Sequence, residues 1–128
     1  MNEKCLHSEL TEGIIKCFYT VYNKLRYGFL EKVYENALRI ELQKNGYDVK
    51  CQHRINVFYE GIEVGDYYAD MLINDTVIVE LKAAESLRQE HALQLLNYLR
   101  ATDKEIGLLL NFGKEPEVKR KTFWNSQK

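Results

Sequence analysis

Hydrophobic residues recur every three or four positions in two segments near the N-terminus, a spacing that predicts two amphipathic helices. The first helix is expected over residues 8–25 and the second over residues 29–45. Gly28 lies in the break between them, and Gly46 follows the second helix as its expected C-terminal cap. The first third of the chain is therefore predicted to be helical.

Further along the chain, the pattern changes to the short apolar runs and two-residue alternation that are typical of strands. The turn pairs Glu60-Gly61 and Asn74-Asp75 separate the first three strands, and Gly65 is a candidate bend within the second. Strands are expected over residues 48–59, 62–73, 76–82, 106–111 and 118–123, with a helix over residues 86–101.

The resulting element order, α-α-β-β-β-α-β-β, places one helical crossover between the third and fourth strands. A helical crossover joins parallel neighbours, whereas short turns join antiparallel ones. We therefore expect an α/β fold with a central mixed β-sheet flanked by helices. A chain of 128 residues with no linker or repeat is expected to form one domain over residues 1–128.

The overall charge limits how the protein could bind nucleic acid. Its 18 lysines and arginines nearly balance its 19 acidic residues, which gives a net charge of −1 at neutral pH. A protein that coats nucleic acid by bulk charge is strongly basic, so any contact here must come from a local patch. The best candidate is Lys114 with Lys119-Arg120-Lys121, beside Phe123 and Trp124, and a solvated tail is the alternative interpretation.

Cysteine usage and hydropathy exclude further classes of protein. Cys5, Cys17 and Cys51 are widely spaced and odd in number, so neither a zinc site nor a disulfide framework is implied. Cys17 falls within a helical pattern and is expected in the core. No apolar run approaches membrane-spanning length and no secretory signal opens the chain, so a cytoplasmic protein with no membrane partner is expected.

Acidic and basic residues on the second and third strands form the strongest candidate for a chemical site. Glu80 and Lys82 lie two residues apart and so share one face of a strand, and a hairpin would bring Asp70 beside them. Neighbouring carboxylates repel each other and lose solvation when buried, and Mg²⁺ or Mn²⁺ would offset both costs. The alternative is a surface salt bridge of Lys82 with either acid, which is common and contributes little.

Three further polar residues fall on predicted helices near this site. Glu31 lies on the shoulder of an apolar stripe, where it could supply a metal oxygen or simply complement the helix dipole. Gln94 and Tyr98 are four residues apart and share one side of the third helix. They could hydrogen-bond a substrate phosphate or a metal-bound water, or they could belong to an ordinary amphipathic helix.

Two other polar residues also leave alternatives open. Glu41 lies near the middle of the second helix's apolar stripe, where pairing with Arg39, Arg54 or Lys82 would explain it. His91 lies one turn before Gln94 and could act as a base, although a surface position is commoner for histidine.

Gly28-Phe29-Leu30-Glu31-Lys32-Val33-Tyr34 resembles the signature of the GxxExxY proteins, which belong to the PD-(D/E)XK nuclease superfamily. The Gln-x-x-x-Tyr that follows Glu-x-Lys is also similar to RecB-like and Cas-type exonucleases of that superfamily. The resemblance covers about residues 8–123, and its later segments follow in the family's order: Gly65-Asp66-Tyr67-Tyr68-Ala69-Asp70, Val79-Glu80-Leu81-Lys82, Gln94-Leu95-Leu96-Asn97-Tyr98 and Leu109-Leu110-Asn111-Phe112-Gly113.

The resemblance implies a restriction-endonuclease-like core with a role for each of these residues. Asp70 and Glu80 would bind Mg²⁺ or Mn²⁺, with the Leu81 carbonyl as a third ligand. Glu31 would add a carboxylate from the helix. Lys82 would position or activate the attacking water and stabilise the charge of the phosphorane.

In the same family pattern, Gln94 and Tyr98 would organise the site. Two positions depart from the pattern. Tyr68 stands where members often carry a basic residue, which weakens a phosphate contact, although a tyrosine can instead stack on a base. Ala69 replaces the proline of the motif's name, a change that the superfamily tolerates.

The function that the resemblance implies is metal-dependent hydrolysis of phosphodiester bonds in nucleic acid, with DNA favoured over RNA. The near-neutral charge suggests that a homo-oligomer or a partner subunit supplies part of the binding groove. One alternative is a non-catalytic nucleic-acid-binding or assembly module that retains the fold, although intact Asp70, Glu80 and Lys82 argue against it. Another is a restriction-like or repair accessory enzyme that requires a second subunit.

Overall fold

The computed structural model of the protein describes residues 7–128, so Cys5 lies outside the described residues. Within this range, helices and strands follow the predicted order and the α/β class is confirmed. The elements are α1 (Ser8–Leu25), α2 (Glu31–Lys44), β1 (Val49–Tyr59), β2 (Ile62–Ile73), β3 (Val77–Lys82), α3 (Gln89–Arg100), β4 (Ile106–Phe112) and β5 (Pro116–Thr122), followed by a 3₁₀ turn over Asn125–Gln127. None of these helices has the length and apolar character needed to cross a bilayer.

The described strands form a mixed five-stranded sheet in the order β1-β2-β3-β4-β5. β1, β2 and β3 are antiparallel neighbours, as are β4 and β5. β3 and β4 are parallel and are joined through α3. The parallel pair predicted from the helical crossover is therefore present.

The helices cover the two faces of the sheet unequally. α1 and α2 pack on one face, where Cys17 is buried as predicted. α3 is the helix whose apolar residues pack on the opposite face. The larger core, under α1 and α2, includes Ile14, Phe18, Leu38, Leu42, Met71, Val79, Leu108 and Leu110, and the smaller core, under α3, includes Leu72, Ile78, Leu95, Leu99 and Leu109.

A buried aromatic pair fixes the connection between α1 and α2. The Tyr34 ring is fully buried and stacks on Phe112 with 4.3 Å between ring centroids. Its hydroxyl donates to the Arg26 carbonyl and accepts a hydrogen bond from the Phe29 N–H at 3.1 Å. Arg26 and Gly28 have φ values of 57° and 114°, which turn the chain between the helices. The tyrosine of the Gly-x-x-Glu-x-x-Tyr segment therefore has a structural role at the start of α2.

The segment after β3 is held by polar contacts with β4 and β5. The fully buried Asn111 side chain accepts from the Ala84 N–H at 2.9 Å and donates to the Ala84 carbonyl at 3.0 Å. Asn111 also donates to Glu117 at 2.9 Å. A Cβ on Gly113 would lie 2.1 Å from the Ala84 carbonyl oxygen, so this position requires glycine. These contacts set the path of the chain as it leaves β3.

β1 and β2 extend beyond β3 as a two-stranded hairpin. β2 pairs with β3 only over residues 71–73, and we call residues 53–69 the hairpin arm. The β1–β2 register shifts beside Gly65, between the pairs Val57↔Gly65 and Phe58↔Glu63, so the irregularity predicted at this glycine is present.

Side-chain alternation reverses where the hairpin arm leaves the sheet. Cys51 and Met71 pack with α1 and α2, whereas Ile55 and Ala69 pack with α3. Strict two-residue alternation would place all four on one face. The reversal coincides with Gln52, whose φ of 54° is left-handed and uncommon for a residue other than glycine. The hairpin arm therefore packs with the α3 layer.

Candidate functional site

β2 and β3 separate beyond the pair Met71↔Val79, and two carboxylates fill the opening. Glu80 Oε1 accepts a hydrogen bond from the Asp70 N–H at 2.9 Å, and Asp70 Oδ2 accepts one from the Leu81 N–H at 2.7 Å. Each carboxylate thus satisfies a backbone donor that continued strand pairing would otherwise use. We call Asp70, Glu80 and Leu81 the strand fork.

The two carboxylates of the strand fork lie close to each other, Glu80 buried and Asp70 half-buried. Glu80 is only 5% exposed, and its burial followed by the nearby charge of Asp70 raises the pKa of Glu80 to about 8. Burial also raises the pKa of Asp70, against the effect of the hydrogen bond from Leu81. Without a cation, the pair therefore retains a proton at neutral pH.

Glu31 lies at the edge of this arrangement, exposed at the first residue of α2. Its negative charge contributes to the raised pKa of Glu80, after that of Asp70. Within residues 7–128, no group of three or more His, Cys, Asp or Glu residues is arranged to hold a metal ion. The structure thus brings Asp70 and Glu80 together without Glu31, whose role as a ligand stays a prediction.

Two residues that the sequence analysis did not single out contact the strand fork or its neighbours. Glu35, although charged, is 5% exposed; it accepts from Gln52 Nε2 at 2.8 Å and from Lys32 Nζ at 2.7 Å. Burial has the largest effect on Asp70 and raises its pKa; the charge of Glu35 raises this pKa further, and the Gln52 side chain lowers it. In the sequence, the burial of Glu35 could have been predicted from its position three residues before Leu38, which places both on one side of α2. Gln52 carries no local signal.

Lys82 lies on the same face of β3 as Glu80 and is half-buried. Its positive charge lowers the pKa of both Glu80 and Asp70, against the larger effects of burial. Among the described residues, no salt bridge within 4.0 Å includes Lys82. The alternative of a salt bridge between Lys82 and either acid is therefore wrong, and so is a direct ion pair as the reason for Glu41's position.

α3 directs Gln94 and Tyr98 to the same site. Gln94 Nε2 donates a hydrogen bond to the Tyr98 hydroxyl at 2.9 Å. Tyr98 is 5% exposed, and burial followed by the negative charge of Glu80 raises the pKa of Tyr98 to about 12. The hydroxyl therefore stays protonated at neutral pH and is available to donate a hydrogen bond.

His91 and Glu41 make contacts within their own helices. His91 Nδ1 accepts a hydrogen bond from the Arg88 N–H at 3.1 Å and so helps to cap the N-terminus of α3. Glu41 Oε2 accepts from the Asn45 side chain at 3.1 Å, at the C-terminal end of α2. These contacts give both residues structural explanations.

The basic cluster near the C-terminus is divided between the two faces of the sheet. β5 carries Lys119 opposite Leu109 and Arg120 opposite Leu108. Leu109 packs with α3 and Leu108 with α1 and α2, so Lys119 and Arg120 project to opposite faces. Lys119, Arg120 and Lys121 therefore do not form one continuous patch.

Comparison with known proteins bears on this fold and site together. The family model of the PD-(D/E)XK nuclease superfamily matches residues 8–122. The crystal structure of SSO0001 is similar in fold, with a TM-score of 0.55 and 18% sequence identity over 73% of this chain. The chain spans about half the length of that protein, since the match covers 50% of it. No curated protein matches in sequence. The expected restriction-endonuclease-like core is confirmed.

Proposed function

The chain belongs to the PD-(D/E)XK nuclease superfamily, and from this membership we propose that it is a metal-dependent nuclease that hydrolyses phosphodiester bonds of nucleic acid. The observation that supports this most directly is the strand fork, where the buried Glu80 and the half-buried Asp70 adjoin a lysine on the same face of β3 as Glu80. We further propose that it is a GxxExxY protein, on the segment from Gly28 to Tyr34, and that its substrate is DNA rather than RNA.

The donor set of the strand fork fits a hard divalent cation. Mg²⁺ is commonly bound through one or two carboxylates, with waters and substrate phosphate oxygens completing its shell. Asp70 and Glu80 would hold Mg²⁺ or Mn²⁺, and the Leu81 carbonyl and Glu31 are the further proposed ligands. A bound ion would polarise the scissile phosphate and lower the pKa of a water molecule.

The remaining residues of the site supply positive charge and hydrogen bonds. Lys82 would stabilise the negative charge that develops on the phosphate and would orient the attacking water. Tyr98 would donate a hydrogen bond to a phosphate oxygen or to that water. Gln94 would hold the Tyr98 hydroxyl in place through the hydrogen bond that joins them.

The test of this proposal is cleavage by the purified protein in Mn²⁺ of single- and double-stranded DNA and RNA. We expect the wild type to degrade at least one substrate and Asp70→Ala to lose both the cleavage and the Mn²⁺ binding measured by calorimetry, because Asp70 supplies a ligand. Glu85→Ala, which removes an exposed acid just after β3, is the matched control and should behave as wild type. If all substrates stay intact at low salt and saturating Mn²⁺, the non-catalytic module becomes the better interpretation.

A smaller effect is expected from Gln52, which positions Asp70. Gln52→Ala removes the hydrogen bond to Glu35 and the polar side chain that lowers the pKa of Asp70, so Asp70 should be held less firmly. We expect cleavage to slow about 10-fold, less than the roughly 100-fold that a misplacement of about 1 Å can cost, with Mn²⁺ affinity reduced less. Gln43→Ala, on the exposed side of α2, is the control. An unchanged rate in Gln52→Ala would exclude this positioning role.

A further inference from the structure

A cleft of about 800 Å³ lies between the hairpin arm and α3, and one of its lining residues, Tyr98, is close enough to Glu80 for the charge of Glu80 to raise its pKa. Phe58 and Tyr67 line it from the hairpin arm, and Gln94, Asn97 and Tyr98 line it from α3. The rings of Tyr67 and Tyr98 lie 5.9 Å apart between centroids. Because Tyr98 lines the cleft and also interacts electrostatically with Glu80 and Asp70, an occupant of the cleft lies beside a residue of the proposed site.

The lining of this cleft suits an uncharged aromatic group. Phe58 is 60% exposed and Tyr67 is 50% exposed, so both offer free ring surface. Gln94 and Asn97 add amide donors and acceptors of the kind that read the edge of a base. Glu90 and Arg100 also line the cleft and carry opposite charges, so the lining is not a phosphate site. The volume falls within the range of about 300–1,000 Å³ in which proteins enclose small ligands.

The charges on the hairpin arm disfavour a duplex lying along it. Glu60, Glu63 and Asp66 lie on the hairpin arm together with one arginine, Arg54. Arg54 already pairs with Asp66 at 3.2 Å and with Glu63 at 3.6 Å. A phosphate backbone following the hairpin arm would therefore meet net negative charge.

We propose that this cleft, the base cleft, holds one unpaired nucleobase of the substrate strand, stacked on Tyr67 while its phosphodiester lies at the strand fork. The protein then acts on single-stranded or frayed nucleic acid and not on an intact duplex. The inference rests on the proposed nuclease function for the position of the scissile bond. Stacking on an aromatic ring tolerates any base, so the base cleft selects strand state and not sequence.

The test measures binding of a short DNA strand carrying one 2-aminopurine, alone and in a duplex, by fluorescence in EDTA, where cleavage is prevented. The single strand should bind at least about 10-fold more tightly than the duplex, and Tyr67→Ala should lose about 10-fold, within the range measured for one stacked base. Tyr67→Phe keeps the ring and should bind as wild type. Tyr59→Ala, an exposed tyrosine of the same hairpin arm that does not line the cleft, is the matched control.

Several results would overturn the base cleft. These are equal affinity for strand and duplex, wild-type binding by Tyr67→Ala, or equal affinity, measured by competition with the labelled strand, for a strand whose nucleotides are all abasic. Dissociation of a homodimer by Tyr67→Ala, seen by sedimentation, would instead make a second copy the occupant. Cleavage in Mn²⁺ is measured separately. Cleavage without a preference for single strands would contradict only the base cleft. Binding as expected without any cleavage would contradict only the nuclease proposal.

Discussion

In EDTA at about pH 9, Glu80→Gln should melt at a higher temperature than the wild type, and at about pH 7 saturating Mg²⁺ should reverse the order. The reason is the raised pKa of Glu80, about 8 in the folded protein against an ordinary 4.5. Glutamine keeps the carbonyl oxygen that accepts the Asp70 N–H and carries no charge at any pH. It therefore avoids the repulsion that the ionised pair suffers when no cation is bound.

The pH range follows from the direction of this shift. Between pH 4.5 and 8 the folded protein keeps a proton on Glu80 that the unfolded chain has released, so stability falls as the pH rises through this interval. Above the folded pKa the wild type should be less stable than Glu80→Gln by a few kcal/mol, since each unit of difference is worth about 1.4 kcal/mol. Near pH 4.5 and below, the difference should disappear.

Mg²⁺ should act in the opposite direction because it binds the folded wild type through both carboxylates. An ion present at about 1,000 times its dissociation constant stabilises by about 4 kcal/mol, which exceeds the electrostatic cost of about 3 kcal/mol at pH 7 but not the cost of about 5 kcal/mol at pH 9. Melting curves of the two proteins and of the control Glu85→Gln, recorded across pH with EDTA or Mg²⁺, measure both effects. Parallel curves for wild type and Glu80→Gln in EDTA would mean that Glu80 is ionised at neutral pH.

Lys82→Met should slow cleavage by about 100-fold or more, the scale of removing one group that stabilises transition-state charge. Methionine retains the apolar stem, and among the described residues no salt bridge within 4.0 Å is lost with the ammonium. The melting temperature and Mn²⁺ affinity should therefore change little. The loss should appear in kcat more than in KM, because the charge it neutralises develops during the reaction.

The matched control for Lys82 is Lys44→Met, an exposed lysine in the last turn of α2. It removes one positive charge far along α2 from Glu35 and should cleave at the wild-type rate. Equal losses in both variants would indicate that net charge, not position, controls the rate. An unfolded Lys82→Met protein would show that the lysine is structural.

The sequence pattern predicted the bounds of helices and strands correctly where the residues at each end determine the turn. α1 spans Ser8–Leu25 and β2 spans Ile62–Ile73, both with the predicted bounds. α1 ends where Arg26 adopts a left-handed φ of 57°, and β2 is bounded by turns at Gly61 and Asn74, also at positive φ. Turn chemistry of this kind is visible in the sequence.

The observed starts of α3 and β5 differ from the predicted ones, because contacts between distant parts of the chain determine them. α3 was expected from residue 86 but begins at Gln89, because the Leu87 N–H donates to Glu117 at 3.1 Å and holds the preceding segment against β5. β5 begins at Pro116, two residues before the predicted start, where the pair Phe112↔Pro116 closes the ladder. A proline is accepted at the first residue of an edge strand.

The candidate site likewise combines features that the sequence predicts with features that it does not. The shared face of Glu80 and Lys82, and the shared side of Gln94 and Tyr98, follow from strand and helix periods and are visible in the sequence. The reciprocal hydrogen bonds of the strand fork are not visible, because they require β2 and β3 to separate at one particular pair. Gln52 acts through a left-handed backbone conformation that its residue type does not favour.

At the strand fork, selection for protein stability conflicts with selection for metal binding. A substitution that removes one charge from Asp70 or Glu80, such as Asp70→Asn or Glu80→Gln, would relieve repulsion between the two neighbouring carboxylates and make the metal-free protein more stable. Evolution or engineering for heat resistance alone would thus favour variants that have lost the metal ligands. Within a set of relatives, the most thermostable members should include proteins with asparagine or glutamine in place of Asp70 or Glu80. A library of variants selected for stability must also be tested for metal binding if the site is to be kept.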